Sequence, residues 1–205
     1  MTTPSQQRNA AISMAPVDSA RALTIAEAIT DPWYGCQALA WVARYWPDSG
    51  FRKIVKRSLR LGSESTDQYR VVASAAWPVR ALVEREAMND LAPVIGDLLT
   101  RAPRIIPFSS RSEALFLLFQ AVLPAGRDTW LPVLQALRDA SVPMLSWRQR
   151  RNLHDAVLIT WKIDEAVATQ VTKSVGDEKL TTKIAKSVAK EKWMEPRRFF
   201  WTEDV

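Results

Sequence analysis

The sequence predicts an all-α fold, built as a right-handed α-α superhelix of about five helix pairs. Two observations lead to this prediction. Apolar residues recur at helical spacing almost throughout residues 20–188, and no segment shows the alternating pattern of a half-buried strand. In addition, similar segments recur at a nearly constant interval, which is typical of repeat architectures. The chain has 205 residues, enough for one such array.

Prolines and short Ser, Asp and Gly clusters divide the helical pattern into segments of ordinary helix length. The predicted helices are 18–30, 32–46, 50–61, 67–85, 90–101, 110–123, 129–140, 146–161, 163–175 and 177–192. Residues 1–17 are predicted to be a flexible N-terminal segment, 18–192 the repeat domain and 193–205 an aromatic C-terminal segment. This last segment either caps the open end of the last helix pair or binds another protein as a short motif.

The clearest repeat joins two aromatic stretches. "TDPWYGCQALAWVAR" (Thr30–Arg44) and "TDQYRVVASAAWPVR" (Thr66–Arg80) lie about 36 residues apart and share Thr-Asp, an aromatic residue at the fourth place, Ala-Trp and a final Arg. Thr and Asp side chains accept hydrogen bonds from the free N–H groups of a first helical turn. Each stretch is therefore predicted to begin a helix of the same type.

With the intervening helices included, two helix types alternate along the chain. "LPVLQALRDASVP" (Leu131–Pro143) and "AITDPWYGCQALAWVARYW" (Ala28–Trp46) resemble HEAT-type α-solenoid repeats, in which an A helix with an early proline precedes an Ala-rich B helix. The resemblance covers residues 18–192. It implies an array of A/B pairs whose B helices line the concave surface, and it implies no particular activity.

Two stripes are predicted on the B helices. Cys36, Leu39, Ala43 and Trp46 share one face of the first, with Val72, Ala75, Val79 and Leu82 in its twin, and these are predicted to be buried. The second stripe carries aromatic and Arg side chains. We predict partner-binding roles there for Trp33, Trp41, Arg44, Tyr69, Trp77 and Arg80. The alternative is that these tryptophans pack between neighbouring B helices.

The net charge of +6 is concentrated near the C-terminus, where 148–198 holds twelve Lys and Arg against seven Asp and Glu. Such an excess favours acidic partners. Trp147, Arg148 and Arg151 form a candidate partner-binding cluster, which also suits phosphate. Lys179, Lys183, Lys186 and Lys190 share one face of the last helix, and the simplest interpretation is a solvated outer face opposite Leu180, Ile184 and Val188.

Motifs for catalysis, cofactors and metals are not found. The six glycines are too scattered for a phosphate loop, and one His with one Cys supplies no zinc site. Cys36 is predicted to be a buried apolar residue and His154 a partly exposed structural one, with general-base catalysis a remote alternative. Asp164 and Asp177 are predicted N-caps.

We therefore expect a non-catalytic protein- or peptide-binding solenoid, such as an adaptor, an assembly factor or an immunity-type inhibitor, with an acidic protein or peptide as its partner. No cofactor, metal or membrane is expected, and a cytoplasmic location is the simplest expectation. The alternative is a nucleic-acid-binding HEAT-like protein, including the case of an enzyme similar to the alkylpurine DNA glycosylases. The nucleic-acid-binding function requires the basic residues to line the concave groove, whereas the protein-binding function does not.

Overall fold

A computed structural model describes residues 2–142, 146–197 and 199. In these ranges the chain forms eleven α-helices, two short 3-10 turns and no strand, which confirms the all-α prediction. The helices are α1 (Pro4–Met14), α2 (Ser19–Glu27), α3 (Pro32–Tyr45), α4 (Phe51–Ser63), α5 (Gln68–Glu84), α6 (Met88–Arg101), α7 (Phe108–Val122), α8 (Arg127–Ser141), α9 (Trp147–Trp161), α10 (Glu165–Val175) and α11 (Glu178–Ala189).

The helices form two layers. Each odd-numbered helix packs against the next odd-numbered one, from α1 through α11, and we call these six helices the odd layer. Among the even-numbered helices, α6 contacts α8 and α8 contacts α10. Consecutive helices pack as neighbours from α1 to α6 and again from α7 to α11, so successive odd helices run in the same direction within each of these two series.

Aspartates begin many of these helices. Asp31 accepts a hydrogen bond from the backbone N–H of Trp33, and Asp67 accepts one from Tyr69, both at 2.9 Å. The predicted N-caps Asp164 and Asp177 are confirmed by hydrogen bonds from backbone N–H groups of α10 and α11, and Asp18 caps α2 in the same way. These caps satisfy N–H groups that have no partner within the helix.

The N-terminus differs from its prediction as a flexible segment, because α1 lies within residues 1–17. Thr3 and Gln6 form a reciprocal capping box at its start, with Pro4 in the first turn. Ala11 and Ile12 are buried where α1 packs against α2 and α3. The helix has a weakly apolar sequence, and its neighbours rather than its periodicity define its buried side.

The predicted buried stripe is confirmed. All its members are buried except Trp46, which is partly buried against the core. Cys36 lies where α3, α4 and α5 meet, with its Sγ 3.4 Å from Oγ of Ser58 and 3.5 Å from the backbone oxygen of Ser74. In the described part of the chain, no helix combines the length and apolar character needed to cross a membrane.

Candidate functional site

Two of the predicted partner-binding tryptophans lie inside the protein. Trp41 is 0% exposed and Trp77 is 5% exposed, so neither offers a surface to a partner in this structure. Each lies in the middle of a helix that has odd-layer neighbours on both sides, α1 and α5 for Trp41 and α3 and α7 for Trp77. Helices on both sides bury Trp41, and Phe199 also covers Trp77. These two residues therefore follow the alternative prediction, in which the tryptophans pack between helices, and not the predicted partner-binding role.

The two predicted arginines of this stripe bind one carboxylate. Nε of Arg44 on α3 lies 2.8 Å from one oxygen of Glu84 on α5, and Nε of Arg80 lies 2.9 Å from the other. All three side chains are partly buried. This ion pair joins α3 to α5, so the arginines have a structural role that their sequence pattern did not indicate.

The remaining aromatic pair of the repeat reaches the surface. Trp33 and Tyr69 each follow an aspartate cap and stack with ring centroids 6.3 Å apart and planes at 21°. Both are partly buried. Burial raises the pKa of the Tyr69 hydroxyl, and the charge of Glu113 raises it further, whereas Arg148 acts in the opposite direction. Residues from the starts of α3, α5, α7 and α9 therefore lie near one another.

Trp147 is the most exposed aromatic side chain in the described ranges, at 64%. The guanidinium carbons of Arg148 and Arg151 lie 5.4 Å and 5.3 Å from its ring centroid, within cation–π distance. Gln149 holds the start of α9 in place, because it completes a capping box with Ser146 and donates to the backbone oxygen of Ala140 at 2.9 Å. An exposed surface cluster is thus carried on a helix start that these hydrogen bonds hold in place.

We call this rim of the odd layer the N-terminal edge, defined by Trp33, Tyr69, Glu113, Trp147, Arg148 and Arg151. An apolar pocket of about 780 Å³ opens beside it, between the starts of α7 and α9. Ile105, Ile106 and Phe108 contribute to its lining, and Ile106 is 85% exposed. The edge thus combines exposed aromatic surface, guanidinium groups and an apolar recess.

His154 is buried, at 7% exposure, which corrects its prediction as a partly exposed residue. Its Nδ1 lies 2.8 Å from Asp155 Oδ1, and its Nε2 lies 3.3 Å from Oγ of Ser187 on α11. The order resembles a Ser-His-Asp triad, but Ser187 lies within α11, where backbone N–H groups bond along the helix and form no oxyanion hole. The triplet ties α9 to α11.

The C-terminal segment crosses the face of the odd layer. Glu195 Oε1 lies 2.7 Å from Nζ of Lys162, the backbone N–H of Arg197 donates to Oε1 of Gln120 at 2.6 Å, and Phe199 packs on Trp77. These contacts reach α5 and α7 as well as the end of α9, which differs from the predicted cap on the open end of the last pair. Phe200 and Trp201 lie outside the described residues.

The other basic cluster lies where the sequence predicted. Lys179, Lys183, Lys186 and Lys190 are exposed on α11, while Leu180 and Ile184 are buried on its opposite side. Within the described ranges, no group of three or more His, Cys, Asp or Glu side chains is arranged to hold a metal ion. Comparisons with protein-family models, with curated proteins and with solved structures find no match for this chain.

Proposed function

We propose that this chain is a non-catalytic binding protein, an α-solenoid that holds another protein or a peptide. In this proposal α2 to α11 form five HEAT-like pairs in a right-handed superhelix, each pairing an even helix with the odd helix that follows it. The layered packing supports this arrangement, because each odd helix contacts the next. The odd layer then forms the concave surface.

The observation that carries the proposal is the exposure of Trp147 between two guanidinium groups. Tryptophan and arginine are the residue types most enriched at the centres of protein interfaces. The exposed indole ring of Trp147 is largely apolar surface in contact with water. A partner that covers the ring removes this surface from water, which favours binding. Arg148 and Arg151 favour a partner segment that carries Asp or Glu.

The test is affinity purification from the native source with four forms of the chain, wild type and three variants. W147A and R148A/R151A alter the N-terminal edge, while K53A/K56A removes the same charge as the double arginine variant from exposed positions on α4. Proteins retained by wild type and K53A/K56A but lost with both edge variants are then titrated directly. We expect W147A to weaken binding at least tenfold, about 1.4 kcal/mol. Equal retention by all four forms would refute the edge as the binding surface.

A nucleic acid is the second candidate partner, because an exposed aromatic ring with two arginines also suits a stacked base and its phosphates. The interior of the odd layer favours it less, since Trp41 and Trp77 are buried and Arg44 and Arg80 share Glu84. Titration of a labelled single-stranded oligonucleotide at several salt concentrations tests this candidate. Two phosphate contacts predict a log–log slope of roughly −1.4, lost in R148A/R151A.

A further inference from the structure

The odd layer has a second surface, which borders the N-terminal edge at Glu113 and Arg151 and already holds a peptide segment of this chain. After α11 the chain reverses direction: the N–H of Lys192 donates to the backbone oxygen of Ser187 at 2.9 Å, and Glu191 has a φ of 52°. This hydrogen bond and the left-handed residue form a common helix C-terminal motif. Residues 192–197 then continue without helix or turn, and the segment meets the odd layer in this irregular conformation.

The described contacts are those of a bound peptide. The backbone N–H of Arg197 donates to Oε1 of Gln120 at 2.6 Å. Two residues later the ring of Phe199 meets Trp77 edge-on, with centroids 5.3 Å apart at 76°, and Phe199 is only 3% exposed. The guanidinium carbon of Arg197 lies 5.9 Å from the same indole. The odd layer therefore contacts one backbone N–H of the segment, that of Arg197, and two side chains that are two residues apart, those of Arg197 and Phe199.

The receiving groups belong to the helices of the odd layer. Gln120 is buried on α7, and its Nε2 donates to the backbone oxygen of Phe116 at 3.3 Å, which directs its Oε1 toward the segment. That oxygen recognises a backbone N–H, which every residue except proline supplies. Trp77 offers an aromatic surface of α5 to any aromatic side chain.

The segment does not fill the surface that it crosses. A cavity of about 340 Å³ remains between it and α7 and α9, lined by Met194 and Arg197 of the segment and by Glu113, Phe116, Asn152 and Asp155 of the helices. Arg151 lines the cavity as well, so its charge is mixed, and it is Arg197 of the segment that indicates a basic residue in the ligand. One further described contact, the ion pair of Lys162 with Glu195, is exposed and therefore contributes little.

We propose that this surface is a binding groove for an extended peptide, in which the C-terminal segment acts as an internal ligand. The external ligand is a peptide with a basic residue whose N–H reaches Gln120 and an aromatic residue two positions later that packs on Trp77. Such a peptide displaces residues 191–199. This surface shares Glu113 and Arg151 with the N-terminal edge, but the proposal does not depend on any partner bound at Trp147.

Competition between the two ligands sets the expected effect. A segment joined to its site by a short connection has an effective concentration on the order of 1 mM. For a peptide with an intrinsic Kd of roughly 0.1 mM, occupancy by the segment weakens apparent binding about tenfold. Weakening the internal segment must therefore strengthen the binding of the same peptide added from outside.

The test uses full-length chains and a fluorescently labelled peptide with the sequence of residues 191–199, followed by anisotropy. F199A weakens the internal segment without altering the receiving helices, and we expect it to bind the peptide about tenfold more tightly than wild type. E195A removes only the exposed ion pair, and it should bind about twofold more tightly. A peptide with alanine in place of Phe199 should bind at least tenfold more weakly to F199A.

Circular dichroism shows whether each variant retains its helices, and E195A keeps the experiment decisive if F199A does not fold. Equal affinity of wild type and both variants for the peptide would overturn the proposal, because the segment would not occupy the peptide's site. Absence of binding to every chain at millimolar peptide would overturn it also. Neither result would bear on a partner of the N-terminal edge, whose test depends on Trp147.

Discussion

Nε of Arg44 on α3 lies 2.8 Å from Oε2 of Glu84 on α5, and Arg80 binds the other oxygen of the same carboxylate. Two arginines that occupy corresponding places in the sequence repeat thus share one partner. Each side chain is less than one third exposed, so water screens these ion pairs less than it screens pairs on the surface.

We expect Glu84→Gln to lower the free energy of unfolding by about 1–2 kcal/mol, since two partly buried guanidinium groups lose their counter-charge. Urea unfolding at pH 7 measures the effect. Asp97→Asn is the matched control, because its pair with Arg101 is more exposed and should contribute at most about 0.5 kcal/mol. Equal losses in the two variants would show that the shared carboxylate does not stabilise the α3–α5 contact.

Glycines on α4 and α6 should respond oppositely to the same substitution. A Cβ atom at Gly96 meets nothing within 4 Å, so Gly96→Ala should stabilise the protein by about 0.5–1 kcal/mol through the lower entropy of the unfolded chain. A Cβ atom at Gly62 would lie 3.0 Å from Oγ of Ser74 and 3.1 Å from Sγ of Cys36. Because both neighbours are buried side chains, we expect this crowding to cancel or reverse the gain.

Thermal unfolding of the two glycine variants beside wild type provides the measurement. We expect Gly96→Ala to be more stable than wild type and Gly62→Ala to be no more stable than wild type. If Gly62→Ala were as stable as Gly96→Ala, α3, α4 and α5 would have to make room for the added Cβ atom at no cost in stability. That result would contradict close packing around Cys36.

The buried thiol of Cys36 should make stability depend on alkaline pH. Burial raises the pKa of this thiol from an ordinary value of 9.0 to about 11, although hydrogen bonds with Ser58 and Ser74 act in the opposite direction. The unfolded chain therefore loses the proton first. The stabilising contribution is fully present below pH 9 and is lost as the pH rises toward 11, by roughly 3 kcal/mol in all.

Urea unfolding of wild type and Cys36→Ala between pH 8 and pH 10.5 isolates this contribution, because every other titrating group is common to both proteins. The difference between their free energies of unfolding should be constant up to about pH 9 and then fall by about 1.4 kcal/mol per pH unit. A difference that stays constant to pH 10.5 would show that the thiol titrates normally. The native thiol should also resist alkylation at pH 8.

Ser187 should stabilise the protein through its hydrogen bond with His154. We expect Ser187→Ala to lower the free energy of unfolding by about 1 kcal/mol, because it removes the α11 partner of a buried imidazole. Ser174→Ala is the control, since its hydroxyl donates to Val171 of its own helix and joins no second helix. Hydrolysis of p-nitrophenyl acetate by wild type and Ser187→Ala should be equal, and a Ser187-dependent rate would instead indicate a nucleophile.

The local sequence pattern predicted much of the secondary structure. The ten predicted helices from residue 18 onward all occur, with ends that agree to within about three residues. The faces that carry Cys36 and Val72 are buried as predicted. Helical period, proline positions and aspartate caps are properties of neighbouring residues, so a single sequence contains them.

Interactions between residues a few positions apart account for the all-α class, the boundaries of the ten helices from residue 18 onward and the buried faces of the helices that carry Cys36 and Val72, so the local pattern predicted them. Packing between distant segments buries Trp41 and Trp77, leaves Trp147 exposed and places Phe199 on Trp77. Whether a second helical stripe meets water depends on how many helices flank it and on where a distant segment packs. Those contacts join residues far apart in the chain, so no local pattern records them.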